Sequence, residues 1–253
     1  MDPAAYERYL VPALFRPLAG ALLAAGPATA GRRVLDLACG TGIVSRLVVD
    51  GAAAVTGLDV NPAVLAVATG LEPRVTWVSG DAAALPLPDA AFDVVVCQQG
   101  LQFTADPAVA LREARRVLAP DGVLGLALWC DVTRAPGFHA YAETLDRHGG
   151  PGDLMRRPFA LHRRDDVRTL LAGAGFGDLR TTTCVVQARF PSVRGFVEQQ
   201  VAASPLAVPV AGMTAAARES VVHDLESRLA DRVDDEGLTF PVESHLIWGG
   251  TGP

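Results

Sequence analysis

The segment Val34-Leu35-Asp36-Leu37-Ala38-Cys39-Gly40-Thr41-Gly42 restricts the fold of this chain more than any other stretch. A short apolar run ends in an acid, passes into a glycine turn and leads into a helical pattern from about Ile43 to Val49. Glycine in such a turn lets the backbone approach a ligand without a Cβ clash. The alternation continues. Ala54 to Leu58 reads as a second strand, closed by Asp59, and Pro62 to Thr69 as a helix. Val75 to Val78 is a third strand, and Phe92 to Cys97 a fourth, ending at Gln98 and Gln99. Pro107 to Leu118 is amphipathic and stops at Pro120-Asp121-Gly122, and Val123 to Trp129 is a fifth strand. Strands alternating with helices predict a doubly wound α/β fold with a mostly parallel sheet. In such folds ligands bind at the carboxyl ends of the strands.

The acids sharpen the prediction. A Gly-x-Gly turn also serves dinucleotide sites, but Ser45 stands where their third glycine belongs. Asp36 precedes the glycines, where a carboxylate repels a pyrophosphate and suits a cationic ligand. A buried capping aspartate is the other reading of Asp36. Asp59 is placed like the acid that accepts from ribose hydroxyls in nucleotide-binding units. Asp81, in Gly80-Asp81-Ala82, follows the third strand and can accept from an amino group. Three acids at the ends of three successive strands point to one site.

These residues resemble the class I S-adenosylmethionine-dependent methyltransferases, in detail from about Arg33 to Trp129. Two further stretches resemble the quinone-biosynthesis-type, small-molecule branch. One is Leu85-Pro86-Leu87-Pro88-Asp89-Ala90-Ala91-Phe92-Asp93, and the other is Arg115-Arg116-Val117-Leu118-Ala119-Pro120-Asp121-Gly122, with Asp121 where glycine is usual. The resemblance implies a Rossmann-like sheet of seven strands and S-adenosyl-L-methionine as cofactor. Asp36, Ala38, Gly40 and Gly42 would then line the methionine moiety, with Thr41 in the same turn. Asp59 would hold the ribose, Val60 would pack on adenine, Asp81 and Ala82 would read the adenine edge, and Gln98 would offer its backbone carbonyl.

The second half changes character. Arg134 to Pro158 holds glycines, prolines and a helix around His139 to His148. Asp165 to Gly173 reads as a helix and Leu179 to Phe190 as a strand. Pro191 to Glu236 is a helix-rich excursion, before a closing strand from Leu238 to Trp248. A strand parallel to the others would send that excursion off on the ligand side. The expectation is one methyltransferase domain over 1–253. Its cofactor core would span about 31–133, and helical lid elements about 1–20, 134–160 and 191–236. Tyr6 to Phe15, Pro136 to His148 and Pro191 to Val210 would enclose an apolar pocket. Tyr6, Tyr9, Gln99, Gln102, Phe103 and Trp129 are the substrate-side candidates. His139 is the candidate general base, since transfer to carbon or oxygen also needs a proton removed.

Composition excludes other classes. The net charge is -6, with no basic stripe of the kind nucleic acids require. All 22 basic residues are arginine, which removes Schiff-base chemistry. No metal-ligand cluster and no membrane-spanning run is evident. Cys39, Cys97, Cys130 and Cys184 are widely spaced, which reads as reduced thiols of a cytoplasmic protein. The expected partner is a small, lipophilic metabolite, and the expected state a monomer or homodimer. The competing function keeps the cofactor as a scaffold for a reaction such as cyclisation.

Overall fold

The computed structural model describes residues 2–251. The strands are β1 (Arg33–Leu37), β2 (Ala54–Asp59), β3 (Thr76–Ser79), β4 (Phe92–Gln98), β5 (Leu118–Trp129), β6 (Gly177–Phe190), β7 (Val233–Asp234) and β8 (Gly237–Gly250). They join in one sheet of order β3-β2-β1-β4-β5-β8-β6, and the two-residue β7 pairs with β8 beside that path. β1 to β5 are mutually parallel, and β8 is antiparallel to β5. The seven strands expected from the sequence are present, with β7 as an addition. The turn expected at Pro120-Asp121-Gly122 lies inside β5 instead. Pairing with β4 jumps from Phe92↔Leu118 to Val94↔Val123, so the three residues are accommodated as an irregularity rather than a strand end.

The chain divides into two compact units. The larger holds Leu18–Trp129, Leu161–Cys184 and the chain from Ser244. Its core packs Leu35, Val95, Leu124 and Leu126 of the sheet against Ala110, Leu111, Ala114 and Val117. These last four lie on one face of the helix Pro107–Val117, at the spacing an amphipathic helix requires. Asp106 caps that helix by accepting from the backbone N–H of Ala108 and Val109. At its other end Arg116 donates to the carbonyls of Leu85 and Leu87 and pairs with Glu113 and Asp89. Glu113 in turn accepts from Leu85 N–H at 2.8 Å. The two stretches that resemble the quinone branch are therefore one physical unit, an arginine fork gripping the loop that leads into β4.

The smaller unit holds residues up to Pro17, Cys130–Ala160 and Val185–Glu243. It gathers the π-helix Tyr6–Phe15 and the α-helices Pro136–Arg147, Val193–Ala203 and Ala215–Arg228. The three stretches that the sequence marks as lid elements thus assemble with one another. Pro12 sits within the π-helix, where its missing N–H removes an i→i−5 bond. The N-terminal turn is tied to the helix Val193–Ala203 by Asp2 N–H and Ala202 O at 3.4 Å. Phe138, Phe159, Phe190, Phe196 and Phe240 form an aromatic core, with Phe138 edge-on to Phe240 at 5.7 Å and Phe190 4.8 Å from Phe196. Gly137 makes room for it, since a Cβ there would stand 2.3 Å from the Phe240 ring. Arg228 binds two helices together, donating to Ala140 O at 3.1 Å and Thr144 Oγ1 at 3.2 Å and pairing with Glu143. Among the described residues no helix is long and apolar enough to cross a membrane.

Candidate functional site

The site is built in the larger unit at the carboxyl ends of β1, β2 and β4. Asp36 lies in the middle of the sheet, registered with Gly57 in β2 and Val96 in β4, and is 1% exposed. One of its oxygens accepts from both the backbone N–H and the hydroxyl of Ser45, at 2.9 and 2.8 Å. Burial pushes its carboxyl up to about 6, the two Ser45 donors pull it back, and the charge of Asp59 adds to the rise. Ser45 belongs to the helix Ile43–Val48, which starts from Gly42 in the left-handed region at φ 81°. The contact seen at Asp36 is thus the capping one. It also accounts for Ser45 in place of a third glycine, because a hydroxyl is needed there.

Asp59 anchors the turn from the side. One oxygen accepts from Gly40 N–H and the other from Asn61 N–H, both at 2.9 Å. The backbone carbonyl of Asp59 accepts from Gly80 N–H at 3.1 Å, and Cys39 N–H donates to Leu58 O at 3.0 Å. Ala38 and Gly40 hold φ of 56° and 57°, so the turn is left-handed at both, with Gly40 N–H on Asp59 and Cys39 N–H on Leu58 O. Val60, the next residue, is 69% exposed, an apolar surface beside the Asp59 carboxylate. Asp81 is exposed and accepts from Ala83 N–H, and Ala82 is buried. These residues fit a ligand with a diol near Asp59 and a flat apolar ring on Val60.

The loop after β4 closes the other side. Gly100 packs on Ala38 so closely that an added Cβ would lie 2.4 Å from the Ala38 methyl. Gln98 ends β4 opposite Ala127. Gln99 is buried, with φ 55°, a conformation that costs a non-glycine residue about 1–3 kcal/mol. Its Oε1 accepts from Gln102 Nε2 at 3.0 Å and from Trp129 N–H at 3.2 Å. Phe103 is half exposed and Trp129 is buried.

Asp36, Ala38, Gly40, Thr41, Gly42, Asp59, Val60, Asp81, Ala82, Gln98, Gln99, Gln102, Phe103 and Trp129 all belong to the larger unit. Tyr6, Tyr9 and His139 belong to the smaller one. There Tyr6 packs on Phe15 at 5.1 Å, Arg8 lies 5.9 Å over the Tyr9 ring, and His139 Nε2 stands 3.4 Å from Glu143. The short helix Ala207–Ala211, in the stretch read as an apolar wall, buries Val210 and leaves Val208 82% exposed. Trp77 was not anticipated. Its ring lies over two glycines, where a Cβ would meet it at 2.2 Å (Gly42) and 2.3 Å (Gly57), and its Nε1 donates to Glu72 O. The register Gly57↔Trp77 is the signal, and it requires the strand pairing to be known.

Residues 35–126 match the family model described as a methyltransferase domain. The demethylmenaquinone methyltransferase of Renibacterium salmoninarum is 38% identical over 120 residues, 47% of this chain and 51% of that protein. The ubiquinone biosynthesis O-methyltransferase of Stutzerimonas stutzeri is 34% identical over 119 residues, 45% and 50% of the two chains. The chain spans about half the length of the curated relatives it matches. Among solved structures, phosphoethanolamine N-methyltransferase 2 of Haemonchus contortus, in complex with S-adenosyl-L-methionine, superposes with a TM-score of 0.58 at 18% identity, covering 94% of this chain and 53% of that one. The [4+2]-cyclase SpnF superposes at 0.56 and 22% identity, covering 94% and 80%. These likenesses show the fold. Sheet order, the acid-anchored glycine turn and the sequence match agree over residues 35–126, where the chain matches a methyltransferase domain and is similar to S-adenosylmethionine-dependent methyltransferases of quinone biosynthesis.

Proposed function

We propose that the chain transfers a methyl group from S-adenosylmethionine to a carbon or oxygen of a small, lipophilic molecule. The observation that carries this reading is the glycine turn held by two acids, with Gly40 N–H on Asp59 and Ser45 on Asp36. A turn fixed in this way presents a preorganised, electronegative cradle, which suits a cationic ligand and repels a pyrophosphate. Bound there, the cofactor supplies an electrophilic methyl on a sulfonium. The chain's own part is alignment, because displacement at that methyl depends on orientation more than on functional groups. Asp59 holds the ribose, Val60 supports adenine, and Asp81 and Ala82 read its edge. Gln99, Gln102, Phe103 and Trp129 line the acceptor side.

Within the smaller unit the three stretches expected as lid elements assemble around one aromatic core, which supports a lid role for them. Tyr6 and Tyr9 would contribute to the wall, and His139, its ring oriented by Glu143, would take the acceptor proton. The protein would act in the cytoplasm, as its four free cysteines suit, on a small molecule rather than a nucleic acid, as a monomer or homodimer.

Thermal unfolding with added ligands tests the reading. S-adenosylmethionine and S-adenosylhomocysteine should each raise the Tm, and NAD should not. Stabilisation by NAD alone would overturn it. Product formation from a relative's substrate without transfer of a labelled methyl group would favour a scaffold role.

A further inference from the structure

The orientation of Gln99 is fixed by a backbone group. Trp129 N–H can only donate, so the atom of Gln99 that meets it must be the carbonyl oxygen. The same oxygen accepts from Gln102, so Gln102 must present its NH2 there and turn its own carbonyl away. Two side-by-side amides could close a ring of two hydrogen bonds, but only one forms. Gln99 Nε2 and Gln102 Oε1 are buried and make no hydrogen bond among the described residues. Both side chains are more than nine-tenths buried, at 6% and 9% exposure.

Buried polar groups are nearly always paired, and those left over call for an explanation. Here the unpaired donor and the unpaired acceptor belong to one linked pair. The donor sits on Gln99, a residue in a strained backbone conformation next to Gly100, which packs on the glycine turn at Ala38, and the acceptor sits three residues on. Strain of this kind persists where the surrounding structure imposes it, and it clusters at ligand sites. Nothing in the packing of β4 against β5 requires Gln102 Oε1 or Gln99 Nε2, since the Trp129 contact uses only the Gln99 oxygen.

We infer that Gln99 and Gln102 form a recognition pair for a planar, uncharged ligand edge that carries a hydrogen-bond acceptor beside a donor, as in a lactam or an enol next to a ketone. Gln99 Nε2 donates to the ligand carbonyl, and Gln102 Oε1 accepts from the ligand N–H or O–H. Neither amide carries a charge. A carboxylate would meet the Gln102 carbonyl, and an ammonium would meet the Gln99 NH2, each unfavourably. The pair thus selects neutral acceptors and fixes the plane in which they lie. This assignment rests on the methyltransferase reading for the ligand's being the methyl acceptor, and on the amide geometry alone for its chemistry.

The test uses the whole chain loaded with S-adenosylhomocysteine and two probes, 2-pyridone and N-methyl-2-pyridone, titrated by ligand-observed NMR up to about 10 mM, the weak range expected of fragments. The second probe keeps the carbonyl and lacks the donor. We expect 2-pyridone to bind at least about tenfold more tightly, the effect of leaving a buried acceptor unpaired. In Gln102→Met, which keeps the side-chain length and leaves Gln99 held by Trp129 N–H, the preference should fall towards one while S-adenosylhomocysteine affinity holds. A merely structural role would not remove that preference selectively. Equal binding of the probes, no binding of 2-pyridone, or an unchanged preference in Gln102→Met would each overturn the inference. If the variant does not fold, the comparison on the wild-type chain decides alone. If S-adenosylhomocysteine fails to bind the wild type, the methyltransferase reading falls, and the same comparison without it still decides the pair.

Discussion

Ser45 donates twice to one oxygen of Asp36, through its backbone N–H at 2.9 Å and its hydroxyl at 2.8 Å. The two donors only partly offset the burial of that carboxylate, whose pKa stands at about 6 against an ordinary value of 3.8. Folding is therefore penalised by the ionised form. The penalty is absent below the unfolded pKa, grows as pH rises from about 4 to about 6, and is complete above that. Asp36→Asn keeps an acceptor for Ser45 and cannot ionise. Urea denaturation should show wild type losing on the order of 3 kcal/mol relative to Asp36→Asn across that window. Parallel stability curves for the two proteins would show that the carboxylate carries no such penalty.

The Trp77 ring lies where a Cβ on Gly57 would have to go. Gly57→Ala should cost about 1–3 kcal/mol of stability through overpacking. Trp77→Leu in the same chain should recover part of that loss, giving a coupling energy of about 1 kcal/mol in a double-mutant cycle. Additive effects would mean that the ring moves aside freely.

Asp59 has two tasks, holding Gly40 and Asn61 and, on the proposed function, meeting the ribose. Asp59→Ala should weaken S-adenosylhomocysteine binding by about 2–4 kcal/mol in calorimetry. Asp59→Asn retains one carbonyl acceptor for the turn and should lose less. Wild-type affinity in a folded Asp59→Ala protein would remove Asp59 from the site.

In the smaller unit, Arg228 joins the helix Ala215–Arg228 to the helix Pro136–Arg147 through Ala140 O, Thr144 Oγ1 and Glu143. Arg228→Met removes these donors while keeping much of the apolar stem. Limited proteolysis should then cut within 193–236 several-fold faster, because local opening there costs less. An unchanged cleavage rate would show that the aromatic core alone holds these helices together.

The ends of β1 to β4 were legible because each is written twice, in an apolar run and in the acid or glutamine that closes it. Asp36, Asp59 and Asp81 fall where the sequence puts them, and the helix Pro107–Val117 carries its cap, its apolar face and its final arginines in the chain itself. The arginine fork of Arg116 was out of reach, since it joins residues from Leu85 to Asp89 across an intervening strand. Trp77 needed the β2–β3 register, and the orientation of the Gln99 amide depends on Trp129 N–H, 30 positions away. What the sequence hides is tertiary pairing between residues whose types, taken singly, are ordinary.

The smaller unit draws on three separate stretches of chain, and its N-terminal turn bonds to Ala202. During synthesis Tyr6–Phe15 leaves the ribosome well before the helix Val193–Ala203 that receives it, with the whole β1 to β5 region made in between. The early helix must therefore wait, its apolar face uncovered, while the sheet can already begin to assemble. Closing so long a loop is costly and slow. Chaperone demand during expression should fall on Tyr6–Phe15, and grafting this unit onto another sheet would require moving three segments rather than one.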